Sequence, residues 1–436
     1  MTKLSLLEDV FLTLKGIFLY HTTLKHSCYW APERMAEYQY KKLKHLLIES
    51  NKEVPYYRDL FKKIKFDPAK DFNALEDMEK IPILTKSIAK RERKRLNNPK
   101  YLKEAFPMRT SGSTGEPFEV MVTKDAWAVE QAVVWRHWKW SNYNFRDKLA
   151  MVRSFVPEGS ELIKKDLLRN FYFFSPFHLN DEVIASYLDK MIKERIVILR
   201  GYPSSVHAIA SYVNRTVCEI PPIKTILVAS EHLSEDDRAD IEKAFGVGVT
   251  NHYGLAEICV MMGDCDHHQG LHNYDEYGYL ELLPAEGTAH KKIVGTHLHN
   301  LATPLIRYET GDLAEIATDS CSCDRTLPTI KNVIGRSDSA ICTPEGYKIP
   351  TVNFYTMFEV FQSIERWQII QHELDRIEVR VKCSAFTNEL KAALEKELRE
   401  RLPTSVSVEL HNNIPFVKKH EGKLNTFISL LHGSSS

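Results

Sequence analysis

The residues with the clearest chemical capacity lie between Thr110 and Gly115, where four hydroxyl side chains are combined with two glycines. The full set is Thr110, Ser111, Gly112, Ser113, Thr114 and Gly115. Glycines let the backbone turn tightly and approach a bulky anion, while hydroxyls and exposed N–H groups donate hydrogen bonds to phosphate oxygens. The segment therefore predicts a phosphate-binding loop, although an ordinary solvated loop can have the same composition.

A second group of residues has the composition of a metal site. Cys265 and His272 lie close together in the chain, and Cys321 and Cys323 form a Cys-x-Cys pair further along it. Three thiolates and one imidazole can complete the tetrahedral coordination of a structural zinc ion. The rival ligands are His267, His268 and Cys259. The alternative is that all of these are reduced residues that bind no metal.

The elements that must position these residues follow from the hydrophobic pattern. From about residue 105 to 255, short apolar runs alternate with helical patterns, which is typical of an α/β sheet with ligand loops at its strand ends. From 278 to 317 the strands lose their helices, which indicates antiparallel structure or a small barrel. Beyond residue 338, two β patterns, a helix from Asn388 to Leu402 and a further strand indicate a compact α+β unit.

A chain of 436 residues is too long for a single ordinary core. We therefore expect an α/β protein with two domains. The large N-terminal domain, at residues 1–337, would contain mixed sheets with helices and a small β-barrel-like part. The small C-terminal domain, at residues 338–436, would be α+β and mobile.

The charge balance gives no support to a nucleic-acid partner. Lys plus Arg and Asp plus Glu each number 58. A neutral balance of this kind lacks the basic excess that nucleic acids or acidic lipids attract. The one strongly basic run, Lys86 to Leu96, is expected to be a solvated helix face.

Cysteine use and hydropathy indicate a cytoplasmic protein. Eight cysteines in a chain of this length do not make a disulfide scaffold, and the N-terminus lacks the pattern of a secretory signal peptide. No apolar run is long enough to predict a transmembrane segment. The segment from Val10 to Tyr20 predicts an amphipathic helix, which we expect to pack against the body of the protein. The alternative is that it lies on a membrane surface.

Five further motifs follow the phosphate loop in order, and together they point to one family. They are Gly201-Tyr202-Pro203-Ser204, Tyr253-Gly254-Leu255-Ala256-Glu257, Ile306-Arg307-Tyr308-Glu309-Thr310-Gly311-Asp312, Gly335-Arg336-Ser337-Asp338 and Glu421-Gly422-Lys423. In this series the chain resembles the adenylate-forming superfamily, in the branch of phenylacetate–CoA ligase and the CapK-type proteins. The resemblance runs from about residue 30 to the C-terminus. Some phenylacetate–CoA-ligase-like proteins also resemble the Cys/His set described above.

The resemblance implies a role for the charged residues of these motifs. Glu257 would coordinate Mg²⁺, and Lys423 would reach the α-phosphate and the carboxylate in the transition state. Asp312 would accept hydrogen bonds from both ribose hydroxyls, and Arg336 would contact the ribose or the phosphates. Asp338 would be the hinge of the mobile domain.

Two further sets of residues are implied by the same resemblance. Tyr253, followed by Gly254, would stack near the adenine. The acid pocket would be walled by residues 202–207 and 229–232 together with His252. The members that we assign to it are Tyr202, Pro203, Ser204, Ser230 and His252. This mixture of small, aromatic and imidazole groups fits aryl acids and amino acids equally.

Three residues depart from the family pattern. Glu116 stands where the phosphate loop often carries Lys, and Ala256 stands where Thr or Ser usually precedes the Mg²⁺ glutamate. Thr426 stands near the place of the usual Arg after the catalytic Lys. These changes affect the expected affinity and rate more than the type of reaction.

The resemblance implies an ATP-dependent ligase that converts a small carboxylic acid into an acyl-adenylate and releases pyrophosphate. The cofactors would be ATP, Mg²⁺ and structural Zn²⁺. The acyl group would pass to CoA or to an amine acceptor, which the CapK resemblance links to surface polysaccharide synthesis. The alternative is a non-catalytic, nucleotide-binding assembly protein of such a pathway, and the chain could also form a homodimer.

Overall fold

The computed structural model describes most of the chain. The described residues are 6–109, 118–157, 161–167, 169–177, 179–285, 288–334, 340–351, 354, 357–358, 360–361, 363–417 and 426–431. They divide into two compact units, the first within residues 1–110, 118–142 and 250–335, and the second within 143–249 and 336–436. The predicted domain boundary between residues 337 and 338 lies outside the described residues and stays a prediction.

The first unit begins with helices, as the sequence predicts for its N-terminal part. The helices of this unit are α1 (Leu6–Leu19), α2 (Lys25–Ser27), α3 (Pro32–Glu53), α4 (Pro55–Ile64), α5 (Pro68–Asp71), α6 (Lys86–Arg91) and α7 (Lys124–Trp140). A π-helical segment, Tyr20–Leu24, joins α1 to α2, and a 3₁₀ segment covers Leu75–Lys80. Proline is the first residue of α3, α4 and α5, where its missing N–H is not needed.

The first unit also contains two sets of antiparallel strands. Strands β1 (Ala105–Arg109) and β2 (Glu119–Thr123) pair with each other on either side of residues 110–117. A larger sheet has the order β11-β12-β13-β14-β10-β9-β8. Its strands are β8 (Val249–Gly254), β9 (Met261–Asp264), β10 (Leu271–Asn273), β11 (Gly278–Pro284), β12 (Lys291–His297), β13 (Tyr308–Ile316) and β14 (Thr329–Ile334). The antiparallel structure expected for residues 278–317 is therefore present.

The second unit contains a mostly parallel sheet with helices, as the alternating pattern predicts. The sheet order is β7-β6-β3-β5-β4, with only β4 antiparallel to its neighbour among these strands. The strands are β3 (Leu149–Val152), β4 (Ile163–Asp166), β5 (Phe171–Phe174), β6 (Ile198–Gly201) and β7 (Thr225–Ala229). The helices are α8 (Asp181–Glu194), α9 (Pro203–Arg215) and α10 (Glu235–Phe245). They bury Ala150, Leu199 and Ile226 against their apolar faces.

The C-terminal part of the second unit is the α+β structure expected from the sequence. Strands β15 (Ala340–Cys342) and β16 (Lys348–Pro350) form a pair, and a mixed sheet has the order β19-β18-β17-β20. Its strands are β17 (Ile364–Glu373), β18 (Arg376–Cys383), β19 (Ser407–Asn412) and β20 (Phe427–Ser429). Helix α11 (Asn388–Arg399) starts at Thr387, whose side chain caps the helix by accepting from Leu390 N–H at 3.2 Å.

None of the helices in the described part of the chain is long and apolar enough to cross a bilayer.

Candidate functional site

Two predicted nucleotide residues of the first unit meet through a hydrogen bond. Tyr253 lies near the end of β8 and Asp312 lies within β13. The Tyr253 hydroxyl donates to Asp312 Oδ2 at 2.9 Å. Burial and the neighbouring carboxylate of Asp312 raise the pKa of Tyr253 well above its ordinary value, so this hydroxyl remains a donor. Gly254 follows Tyr253 as the last residue of β8.

The backbone around Asp312 is shaped by the two residues before it. Gly311 has a φ of 87°, in the left-handed region that favours glycine. Thr310 Oγ1 accepts from the Asp312 N–H at 3.1 Å and donates to the Ile293 carbonyl at 3.0 Å. The Thr310-Gly311-Asp312 turn is thus an irregularity inside a paired strand rather than a hairpin between strands.

The predicted Mg²⁺ ligand is a buried carboxylate with two partners. Glu257 is 4% exposed, and its Oε1 accepts from the Tyr308 hydroxyl at 3.0 Å and from Lys86 Nζ at 3.2 Å. The next residue, Ile258, has a φ of 50°. A β-branched residue rarely adopts this conformation, and such strain is concentrated at functional sites. Glu257 therefore has the surroundings of a site residue.

Lys86 and Tyr308 belong to this site although the sequence analysis gave them no role there. Lys86 is the first residue of α6, and the expectation of a solvated basic face does not hold for it, since its side chain is only 23% exposed. Lys86 is brought to this position by Leu84, two residues earlier. Leu84 forms backbone hydrogen bonds with Arg307 and Glu309, on either side of Tyr308. No local pattern reveals this contact between distant segments.

The predicted phosphate loop, residues 110–117, lies outside the described residues. The residue that follows it, Phe118, is buried and stacks on Tyr308 with ring centroids 6.3 Å apart. Phe118 therefore lies beside a tyrosine that bonds to Glu257. Arg336, Asp338 and Lys423 also lie outside the described residues, and their roles stay predictions.

In the second unit, the predicted pocket residues gather at the carboxyl ends of neighbouring strands. Tyr202, Pro203 and Ser204 follow β6, and Ser230 follows β7. In α/β sheets, ligands bind at this edge. His252, the fifth predicted member, belongs to β8 of the first unit, where its ring centroid lies 5.3 Å from that of His137.

Two residues that the sequence analysis did not select join this group. Arg153 and Ser154 directly follow β3, a position that could have marked them as loop residues at the same sheet edge. The Ser154 hydroxyl lies 2.8 Å from the Tyr202 hydroxyl, and Arg153 Nη2 donates to Ser230 Oγ at 3.3 Å. Ser154 and Ser230 both have positive φ values, 54° and 77°, so both strand ends turn sharply.

Glu231 is the acidic member of the same group. Its Oε2 accepts from the Ser204 N–H at 3.2 Å, at the N-terminus of α9. Its Oε1 is buried and has no hydrogen-bond partner among the residues that the structure describes. Burial raises the pKa of this carboxyl from 4.5 to about 7. The group therefore offers an acceptor, a hydroxyl cluster and a guanidinium at one sheet edge.

The four predicted metal ligands converge in the first unit. Their ligand atoms all lie within 4.8 Å of one another. Cys265 Sγ lies 3.6 Å from Cys321 Sγ, and Cys323 Sγ lies 3.4 Å from His272 Nε2. A tetrahedral ion with Zn–S bonds of ~2.3 Å holds its sulfur ligands ~3.8 Å apart. The donor set and its spacing therefore suit a four-coordinate metal.

The second nitrogen of His272 supports this arrangement. His272 Nδ1 lies 3.1 Å from the Leu327 carbonyl, to which it donates when Nδ1 is protonated. In that tautomer, the Nε2 atom on the side of Cys323 has a free lone pair, as it does in metal-bound histidines. Burial lowers the pKa of His272, which favours the neutral imidazole that a metal requires.

The rival ligands have other partners in the described structure. His267 Nδ1 lies 2.8 Å from Ser322 Oγ, and His268 Nδ1 lies 3.3 Å from Asp264 Oδ2. Cys259 is fully buried at a different place, beside Gly295. The convergent set is therefore the one selected from the sequence.

The sequence of this chain is similar to those of several known proteins. Residues 341–429 match the CapK C-terminal domain family. Phenylacetate-coenzyme A ligase of Thermus thermophilus is 25% identical over 386 residues, which cover 81% of this chain and 82% of that protein. Protein CapK of Staphylococcus aureus is 28% identical over 254 residues, or 56% of each chain. The resemblance to the phenylacetate–CoA ligase and CapK branch is therefore confirmed.

A solved structure shares the fold of this chain at lower sequence identity. The structure of 2-hydroxyisobutyryl-CoA ligase in complex with 2-HIB-AMP and CoA, in the thioesterification state, has a TM-score of 0.59. It is 17% identical, and the match covers 92% of this chain and 91% of that one. The α/β fold with its N-terminal and C-terminal parts is that of the CoA ligases.

The raised pKa of Glu231 generates a prediction about stability. A carboxyl with a pKa near 7 in the folded protein and an ordinary value of 4.5 binds its proton more tightly when folded. Its contribution is therefore fully favourable below pH ~4.5 and is lost as the pH rises through ~7. As the pH rises from ~4.5 to ~7, the unfolding free energy of Glu231→Gln should therefore increase by about 2–3 kcal/mol relative to that of wild type. Urea unfolding at a series of pH values measures this difference.

The matched control is Glu219→Gln, at an exposed glutamate of the same unit. Because this side chain is exposed, its substitution should change the unfolding free energy by no more than about 0.5 kcal/mol. A pH-independent difference for Glu231→Gln would show that the Glu231 carboxyl is solvated in the folded protein.

Proposed function

We propose, from the resemblance to CoA ligases, that this chain is an adenylate-forming ligase. It activates a small carboxylic acid with ATP, releases pyrophosphate and transfers the acyl group to CoA. The observation that carries the proposal is the hydrogen bond between Tyr253 and Asp312, which joins the motif assigned to the adenine and the motif assigned to the ribose. These motifs lie far apart in sequence, and their meeting is what one nucleotide site requires.

Each part of ATP has a candidate partner in the chain. Asp312 is half-buried, and its carboxylate can accept hydrogen bonds from the ribose hydroxyls. The phosphates would be held by the loop from Thr110 to Gly115. Phe118, which follows that loop in the sequence, stacks on Tyr308, and Tyr308 bonds to Glu257.

Glu257 suits Mg²⁺, a hard cation that prefers carboxylate oxygen. When bound there, Mg²⁺ would neutralise charge on the phosphates. Lys86 already balances the charge of this buried carboxylate, so the ion would share or displace the Lys86 contact. Lys423, together with Arg336, would then place positive charge on the reacting groups.

The residues at the sheet edge of the second unit support a polar acid substrate. Arg153, Ser154 and Glu231 offer hydrogen-bonding groups around the Tyr202 ring, with the Arg153 guanidinium 5.2 Å from the ring centroid. A hydroxy acid or an amino acid satisfies such groups better than a purely aromatic acid does.

The acceptor in this proposal is CoA, since the names of the similar ligases include it. An amine acceptor in surface polysaccharide synthesis, which the resemblance to CapK-type proteins implies, is a second candidate. The acceptor assay below separates the two.

The test measures pyrophosphate release with ATP and Mg²⁺ across phenylacetate, 2-hydroxy acids and amino acids, followed by CoA or an amine as acceptor. We expect release with at least one polar acid. Lys423→Ala should lower the rate by ~100-fold or more, because the lost charge acts mainly in the transition state. Lys418→Ala, in the same segment, is the matched control. Release with none of the acids would favour the non-catalytic alternative, and a near-normal rate for Lys423→Ala would remove that residue from catalysis.

Asp312→Ala should weaken ATP binding by about 1.5–3 kcal/mol, the range for hydrogen bonds to a charged group. Isothermal titration calorimetry with ATP measures the change. Tyr253→Phe is the comparison variant, because it removes the 2.9 Å hydrogen bond and keeps the carboxylate. Tyr253→Phe should weaken ATP binding less than Asp312→Ala does. Equal ATP affinity in wild type and Asp312→Ala would show that this residue only shapes the strand.

We include a structural zinc ion in the proposal. Cys265, His272, Cys321 and Cys323 would hold it with no open coordination position, so its part is to stabilise the loops and not to react. The support is the convergence of the four ligand atoms within 4.8 Å. The free energy of metal binding would add to that of folding.

Protein purified without chelator should then contain about one zinc per chain by elemental analysis. Cys321→Ser should lose zinc and melt at a lower temperature, and its loss of stability should exceed any loss of ATP binding. Cys218→Ser, at a cysteine of the second unit, is the control and should keep its zinc. Absence of zinc after refolding in excess Zn²⁺ would refute the site.

A further inference from the structure

The N-terminal helical segment, from α1 through the π-helical turn to α2, is fixed to the first unit by one side. Leu12 and Leu24 are buried on that side. At Gly16 a side chain would approach Trp135 of α7 to 3.0 Å, so the two helices are in close contact. Lys15 also pairs with Asp125 of α7 at 2.5 Å. The inner side of the segment is therefore packed against the first unit.

The opposite side of α1 exposes large apolar residues. Phe11 is 62% exposed, Leu14 60% and Phe18 66%. Their spacing of three and four residues places them on one side of the helix. We call these three residues the apolar stripe. They contribute little to the packing of the fold, and contiguous exposed apolar residues of this kind mark interaction surfaces.

After Glu8 and Asp9, near the start of α1, the charge of the same segment has one sign. No acidic residue occurs from Val10 to Pro32, whereas Lys15, His21, Lys25 and His26 do. His21, Lys25 and His26 are exposed at the C-terminal end of the segment. An apolar stripe followed by basic groups is complementary to a surface with an apolar interior and an anionic rim.

An exposed aromatic residue follows the helical segment. Tyr29, four residues after Lys25, is 53% exposed. Tyrosine is enriched at the level of lipid headgroups because its ring is apolar and its hydroxyl is polar. The order of side chains along the segment is thus apolar, then basic, then interfacial aromatic.

A second copy of the chain fits this surface less well. At about 150–250 Å² for each aromatic side chain, the exposed parts of the stripe amount to roughly 350 Å². A stable dimer usually buries about 800 Å² on each partner.

We propose that the apolar stripe and the basic end of this segment form a docking surface for an anionic lipid bilayer. Phe11, Leu14 and Phe18 enter the boundary between headgroups and acyl chains, and Lys25 with the two histidines contacts the phosphates. The segment lies in the plane of the interface and does not cross it. This inference is independent of the reaction proposed above.

The test is flotation of the full-length protein with vesicles of phosphatidylcholine, with and without about one-third phosphatidylglycerol. Wild type should float only with the anionic vesicles, and less at high salt. The triple variant Phe11→Ser, Leu14→Ser, Phe18→Ser should bind at least tenfold more weakly. Lys25→Gln should weaken binding about fivefold, as expected for one basic residue.

The control is the double variant Leu167→Ser, Val217→Ser, which removes exposed apolar residues that lie outside the stripe. It should float like wild type, and the melting temperatures of both variants should match that of wild type. Equal flotation of the triple variant and wild type, or no flotation of wild type, would overturn the proposal. A wild-type dimer that the triple variant dissociates in sedimentation without lipid would assign the stripe to a second copy instead.

Discussion

The geometry of the nucleotide residues depends on one buried ion pair. Arg307 binds Glu281 through two hydrogen bonds of 3.0 and 2.7 Å, and both side chains are less than 10% exposed. The same guanidinium donates to the carbonyls of Glu79 and Ile81. Removing one partner of such a pair leaves an uncompensated buried charge, which costs about 3–5 kcal/mol. The pair therefore fixes the start of β13 against β11 and the 79–81 segment.

The positions of the site residues depend on this ion pair. Arg307 has a φ of 52°, so the chain turns sharply just before Tyr308. Leu84 then pairs with the backbone around Tyr308, which brings Lys86 to Glu257, and the continuing strand brings Asp312 to Tyr253. A motif whose only expected functional residue was Asp312 thus contains a structural arginine and a tyrosine that bonds to Glu257.

The candidate metal loops are held by a similar combination of charge and aromatic surface. Arg325, two residues after Cys323, lies 4.4 Å from the Trp140 ring centroid, and the buried Arg136 lies 5.0 Å from the same centroid. Arg136 pairs with Glu276 and contacts the Tyr274 ring at 4.7 Å. Cation–π contacts of buried arginines stabilise such stacks. They connect the cysteine-bearing loop to α7, and through α7 to α1.

The sequence by itself determined the motifs, the choice of the four Cys and His residues, and elements such as α11, whose periodicity and cap are local. It also indicated the amphipathic character of the first helix. Only the tertiary structure decided that Lys86 meets Glu257, that Arg153 and Ser154 join Tyr202, and that Phe11 and Phe18 remain exposed although the helix packs on α7. The physical reason is that hydrophobic periodicity in a sequence indicates only which side of a helix or strand is buried. Which loops meet is set by strand order and by ion pairs such as Arg307–Glu281, between residues that are distant in the chain.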